Sequence, residues 1–137
     1  MAGITYRVGN NLDLDQVIEL YQASTLGARR PVDDRDRMRT MLQNANLIVT
    51  AWEGDVMVGI ARSLTDFCYC TYLSDLAVRA SHQLHGVGRE LVRRTQQAGG
   101  KAMIILLSAP AAVDYYPRIG LTPHPSAWML PANQSVK

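Results

Sequence analysis

The chain has few cysteines, little net charge and no long apolar run, and each shortage removes a class of protein. Cys68 and Cys70 are the only cysteines in 137 residues. Two residues apart on an expected strand, they point to the same face and are poorly placed to bond each other. A disulfide framework is excluded, and two thiols without neighbouring ligands do not make a zinc site, so no metal is expected. Fourteen Lys and Arg against twelve Asp and Glu leave a formal charge of +2. That balance is too small and too mixed in sign to point to nucleic acid or an anionic membrane. The longest uninterrupted apolar stretch, Ala102 to Leu107, has six residues, against the ~20 that span a bilayer. Met1-Ala2-Gly3-Ile4-Thr5-Tyr6-Arg7 has neither the basic start nor the apolar run of a secretory signal, so a cytoplasmic location is expected. Internal repeats and low-complexity tracts are also missing, and the length suits one domain over residues 1–137.

What is there alternates in short elements. Ile4 to Val8 reads as a strand. Asp13 followed by Gln16 resembles a capping box for a helix whose face is Leu14, Val17, Ile18 and Tyr21,. Gly27 and Pro31 break the chain, Asp33 or Asp34 can cap again, and Met38, Met41, Leu42 and Ala45 repeat the helical spacing,. Leu47 to Trp52 and Val56 to Leu64, joined through Glu53-Gly54-Asp55, predict a β-hairpin. Cys68 to Val78 predicts another strand. A Gly-containing loop follows it, then a helix with Leu84, Val87, Leu91, Val92, Thr95 and Ala98 on one face, closed by Gly99-Gly100,. Ala102 to Leu107 reads as a strand buried on both faces and, being reached through a helix, parallel to the one before. Pro110 suits the start of a short helix running through Tyr116. Leu121 to Leu130, with Pro123 and Pro125, suits an edge strand or an irregular end. The pattern is that of an α/β or α+β sheet with helices on both faces.

The stretch richest in chemistry is Val78-Arg79-Ala80-Ser81-His82-Gln83-Leu84-His85-Gly86-Val87-Gly88-Arg89. Two glycines one residue apart at a helix start let the backbone approach a ligand closely, and the free amides of a first turn point at it. Those amides and the helix dipole together suit a phosphate, with His85 and Arg89 able to add charge. The spacing is neither a P-loop nor a dinucleotide fingerprint. Taken alone, Gly86 and Gly88 fit a turn and tight packing of helix on sheet better than a ligand site, since so short a motif often matches by accident.

Gln83-Leu84-His85-Gly86-Val87-Gly88 resembles the signature of the GNAT superfamily of acetyl-CoA-dependent acyltransferases: Gln or Arg, two residues, Gly, one residue, Gly or Ala. Upstream, Leu76-Ala77-Val78 is similar to the end of that family's fourth strand. Downstream, Tyr115-Tyr116-Pro117-Arg118-Ile119-Gly120-Leu121 is similar to its aromatic-Tyr-x-Lys/Arg-x-Gly run, and the order of elements agrees. The resemblance implies a GNAT-like fold: a mixed central sheet of about six to seven strands, helices on both faces, and a βαβ core that binds acyl-CoA. It implies N-acetyl transfer from acetyl-CoA to a primary amine by direct attack. The alternative is a non-catalytic acyl-CoA-binding or regulatory module on the same fold.

In residues, the resemblance implies that amides of Leu84, His85, Gly86, Val87, Gly88 and Arg89 hold the pyrophosphate of CoA, with Gln83 within the pattern. Backbone groups of Leu76, Ala77 and Val78 then meet the pantetheine arm. A bulge would separate the fourth and fifth strands, and the Leu76 amide would polarise the acetyl carbonyl. Tyr116 matches the family's acid, although Pro117 departs from its pattern and biases Tyr116 away from helical angles. Tyr115 and Tyr116 could also simply be packing aromatics. Asp75 lies in an otherwise apolar strand, where a carboxylate is costly unless paired or functional. It is either a base whose pKa burial raises, or a structural carboxylate bonded to bulge amides or paired with Arg62 or Arg79. Arg29, Arg30, Arg35, Arg37 and Arg39 interleave with Asp33, Asp34 and Asp36, a grip for an acidic acceptor or a solvated, ion-paired helix face. The partners expected are acetyl-CoA and an amine acceptor, with neither nucleic acid nor membrane, and a homodimer through Trp128-Met129-Leu130 is one option.

Overall fold

The computed structural model describes residues 3–137; the Met1-Ala2 start used in the signal reading lies outside them. The chain divides into two compact units, one ending at Leu107 and the other running from Ser108 to Lys137.

The first unit is built on a sheet in the order β1-β2-β3-β4-β5. Its strands are β1 (Ile4–Val8), β2 (Leu47–Glu53), β3 (Val56–Thr65), β4 (Cys70–Val78) and β5 (Met103–Ile105). The first four pair antiparallel, and β5 joins β4 in parallel. The β2–β3 hairpin turns at Gly54-Asp55 as expected, with Gly54 at φ 59° supplying the left-handed residue that a two-residue turn requires,. Five strands among the described residues are fewer than the six to seven expected. Residues 121–130, with their two prolines, form no strand and are the irregular end,.

Helices α1 (Leu14–Gln22) and α2 (Arg35–Asn44) lie on one face of the sheet. Val17, Leu20, Tyr21, Met38 and Leu42 form one core cluster with Ile48, Trp52, Ile60 and Ala77. On the opposite face α3 (Val87–Ala98) packs so closely that a Cβ on Gly59 would stand 2.9 Å from the Leu91 side chain. Asp34 caps α2 by accepting from the Arg37 amide. The expected capping box at α1 is absent: Asp13 occupies the cap position, but its side chain makes no capping hydrogen bond. No helix among the described residues is long and apolar enough to cross a membrane.

Three expectations are corrected. Strand β4 begins at Cys70 because the Asp66 carboxylate accepts from the amides of Cys68, Tyr69 and Cys70 and turns the chain there. Cys68 therefore sits exposed in a turn, and the two thiols share no strand face. Leu84, expected on the buried face of α3, lies fully exposed in the loop before it at φ 66°. Strand β5 is three residues long and largely exposed instead of doubly buried, because among the described residues it has a strand neighbour on one side only.

The second unit holds a 3-10 turn at Pro110–Ala112 and the short helix α4 (Tyr115–Arg118).

Candidate active site

Strand β4 is irregular at one point. Arg62 pairs with Asp75, but the next residue of β3, Ser63, pairs with Leu73, so Ser74 is the extra residue of a bulge,. On its other side β4 pairs with β5 only from Cys70 to Tyr72, the last pair being Tyr72 with Ile105. The two strands therefore separate just before the bulge is reached, and among the described residues Leu73 to Val78 has no strand partner on that edge. The bulge is clamped by two arginines. Arg30 Nη2 donates to the Ser74 carbonyl at 2.8 Å, and Arg62 Nη2 donates to the Ser74 hydroxyl at 2.9 Å.

Asp75 completes the clamp. It is wholly buried, with Oδ1 on Arg30 Nε at 2.5 Å and Oδ2 on Arg62 Nε at 2.6 Å. The Tyr21 hydroxyl also donates to Oδ2 at 2.7 Å. Burial pushes the Asp75 carboxyl up, yet the Arg62 hydrogen bond and charge, the Tyr21 hydrogen bond and the Arg30 charge outweigh it and hold the group below its usual range,. That is opposite to the direction expected from burial alone. Burial and the Asp75 charge together push the Tyr21 hydroxyl well above its ordinary value. Of the two arginines considered as partners, Arg62 pairs with Asp75. Arg79 instead forks onto Glu19 at 2.7 and 2.6 Å. Two members of this cluster escaped sequence reasoning. Tyr21 reads as one more apolar face residue of α1, and Arg30 is lost within a run of alternating charge.

From Val78 the chain enters the glycine loop. The Gln83 side-chain amide donates to the Val78 carbonyl at 3.0 Å, tying the loop to the strand end. Leu84 at φ 66° and Gly86 at φ 83° are both left-handed, which turns the backbone sharply into α3. Gly86 is the N-cap of α3 and offers no side chain. The amides of Val87, Gly88 and Arg89 thus belong to a first turn without intrahelical acceptors. A Cβ at Gly86 would meet nothing within 4 Å, so the backbone there faces open space. His85 and Arg89 are exposed. Glu90, the one acidic residue of the turn, is held by Arg93 and Arg94, whose hydrogen bonds bring its carboxyl down to about 2.

In the second unit the Tyr115 and Tyr116 rings meet edge to face at 5.3 Å. Burial, then the neighbouring Tyr115, pushes the Tyr116 hydroxyl up, so it stays protonated at neutral pH,. Pro117 does not disrupt α4. It is the third residue of a helix beginning at Tyr115, where its missing amide would have had no helical acceptor in any case,. No group of three or more His, Cys, Asp or Glu among the described residues is placed to hold a metal ion.

Comparison with known proteins meets this geometry. The family profile described as the acetyltransferase (GNAT) domain matches residues 21–127. A protein of Prochlorococcus marinus named uncharacterized N-acetyltransferase ycf52-like is 30% identical over 121 residues, covering 83% of this chain. This chain spans 65% of that relative's length. Among solved structures, a GNAT family acetyltransferase from Streptococcus pneumoniae superposes with a TM-score of 0.79 at 24% identity, covering 96% of this chain and 99% of its own. An aminoglycoside N-acetyltransferase solved with CoA superposes at 0.73 and 16% identity, covering 96% and 95%. The two structural likenesses speak for the fold; with the profile spanning most of the chain and the glycine loop in its place before α3, the chain belongs to the GNAT acetyltransferase family.

Proposed function

We propose that the chain is an N-acetyltransferase that moves acetyl from acetyl-CoA to a primary amine by direct attack, without an acetylated enzyme. The observation that carries this reading is the coincidence of the Ser74 bulge with the end of β4–β5 pairing, next in sequence to a side-chain-free helix start. The residues present suit the cosubstrate. The Gly86 turn leaves the backbone open, the first amides of α3 are free, and the acidic group nearest them is neutralised by two arginines.

Acetyl-CoA supplies an acetyl group held as a thioester. In this reading the amides from Leu84 to Arg89 bind its pyrophosphate, with His85 and Arg89 adding positive charge and Gln83 keeping the loop on the strand. Backbone groups of Leu76, Ala77 and Val78 accept the pantetheine arm as a strand would be accepted. The Leu76 amide polarises the acetyl carbonyl. The neutral amine nitrogen forms the new bond to carbon as the bond to sulfur breaks; in the role that the family motif gives Tyr116, its hydroxyl proton goes to the departing thiolate, and the proton lost from nitrogen returns through water to restore the tyrosine. Asp75 is supported less as the base than as the group that fixes the bulge, since both of its oxygens are taken by cations.

The test combines binding with turnover. Acetyl-CoA should raise the melting temperature of the wild type, as a ligand of the folded state must, and free CoA should be released when a panel of primary amines is added. Tyr116→Phe should keep the thermal shift and lose turnover by roughly 10²-fold, the low end for a positioned acid because thiolate leaves readily. Tyr115→Phe is the control. A thermal shift without CoA release on any amine would support the non-catalytic acyl-CoA module instead.

A further inference from the structure

We infer that the acceptor is a monoamine with an aromatic or branched aliphatic body, held by an apolar platform beside the separated strands. This rests on the acetyl-transfer reading above and deepens it. Register carries the placement. Leu64, Tyr72 and Ile105 stand opposite one another across β3, β4 and β5, and Cys70 stands opposite Met103 one pleat away. Strand alternation puts these side chains on one face. Leu64 lies two residues after Arg62, whose guanidinium reaches the Met41 carbonyl of α2, so this is the face of α1 and α2. Four of the five are exposed, and Cys70 is half-buried. Leu64 is 44% exposed, Tyr72 39%, Met103 60% and Ile105 47%.

The opposite face is closed at the same level. Ser63, Thr71 and Leu73 are buried there, and a Cβ on Gly99 at the end of α3 would press against the Thr71 hydroxyl at 3.0 Å. Within the first unit, an amine that reaches a thioester between β4 and β5 must therefore come over the α1 and α2 face. The last β4–β5 pair, Tyr72 with Ile105, is itself a member of the platform, so the platform begins where the gap begins.

Charge selects further. Strands β3 and β5 carry no acidic residue, and the single one on β4 is Asp75, with both oxygens already on arginines. A polycation finds no carboxylate on these strands. An apolar body finds a contiguous surface of the kind that marks a binding face.

The experiment compares kcat/KM for phenethylamine and isoamylamine with that for ethanolamine and spermidine, using the full chain and acetyl-CoA. The apolar amines should lead by about tenfold or more, the worth of roughly two methylenes removed from water. In the double variant Leu64→Thr with Ile105→Thr, β-branched residues keep the strands, and the ratio of phenethylamine to ethanolamine should fall about tenfold through KM. Leu64→Met with Ile105→Val should preserve the ratio, which separates lost apolar surface from lost fold. A wild type that transfers acetyl but prefers spermidine, or a Thr variant that slows all amines alike, overturns the platform and leaves the acetyl-transfer reading standing. No thermal shift with acetyl-CoA and no CoA release with any amine overturns both. A wild-type dimer in sedimentation that the Thr variant converts to monomer would give this face to a second copy and also overturn the inference.

Discussion

Asp75 shows how one carboxylate can organise a site without entering into proton transfer. Its folded pKa is depressed, so the stability it contributes is fully present above the ordinary carboxylate pKa near ~4 and is lost as pH falls through the lower folded value,. Asp66, held at about 2 by three backbone amides, and Glu90, also about 2, act in the same direction, but Asp66 is exposed and Glu90 partly so, and both contribute less,. Asp75→Asn leaves the buried Arg62 without its counter-charge, and removing one partner of such a pair typically costs about 3–5 kcal/mol,. The expected outcome is a marked fall in melting temperature at neutral pH and a flatter dependence on pH below about 4, followed by circular dichroism. A variant that melts like the wild type yet has a changed pH–rate profile would return Asp75 to the role of base.

At the scale of the element, β4 carries a residue that its ladder does not need. Deleting Ser74 would set Leu73 opposite Ser63 and Asp75 opposite Arg62 in an uninterrupted ladder, with both side chains on their present faces,. The deletion also removes the Ser74 acceptors of Arg30 and Arg62, so the melting temperature should fall while the fold is kept, and the acetyl-CoA thermal shift should be largely lost,. A deletion variant that binds acetyl-CoA like the wild type would show that the bulge is incidental. The bulge was expected from the family resemblance alone; its place at Ser74 was not legible, because alternation runs through Leu73, Ser74 and Asp75 without a visible fault. The glycine loop was legible, since the left-handed turn at Gly86 depends on a residue type that the sequence displays. Arg30 and Tyr21 were not, because their meeting with Asp75 spans 45 and 54 residues and is decided by how α1 lies on the sheet. The exposure of β5 was misread from composition: six apolar residues in a row give no sign of how many strands stand beside them. The turn that removes Cys68 from β4 hangs on Asp66, whose three accepted amides no periodicity reveals.

At the scale of the whole molecule, the order of elements follows from local signals while the uneven strength of the sheet does not. Strands β2, β3 and β4 follow one another as antiparallel neighbours, seven residue pairs in each ladder. Strand β5 is held to β4 by three pairs, after the chain has travelled through α3. Closing so long a loop costs entropy that three pairs offset poorly. The sheet should therefore open from this edge in brief local excursions while the rest stays folded. Amide hydrogen exchange read by mass spectrometry should show Met103 to Ile105 exchanging well before β2 and β3, and equal protection across all strands would refute it. The short ladder becomes a reporter in its own right. A molecule lodged between β4 and β5 would bridge the seam and slow exchange at these three amides, so occupancy could be followed on a deuterium clock with no turnover at all.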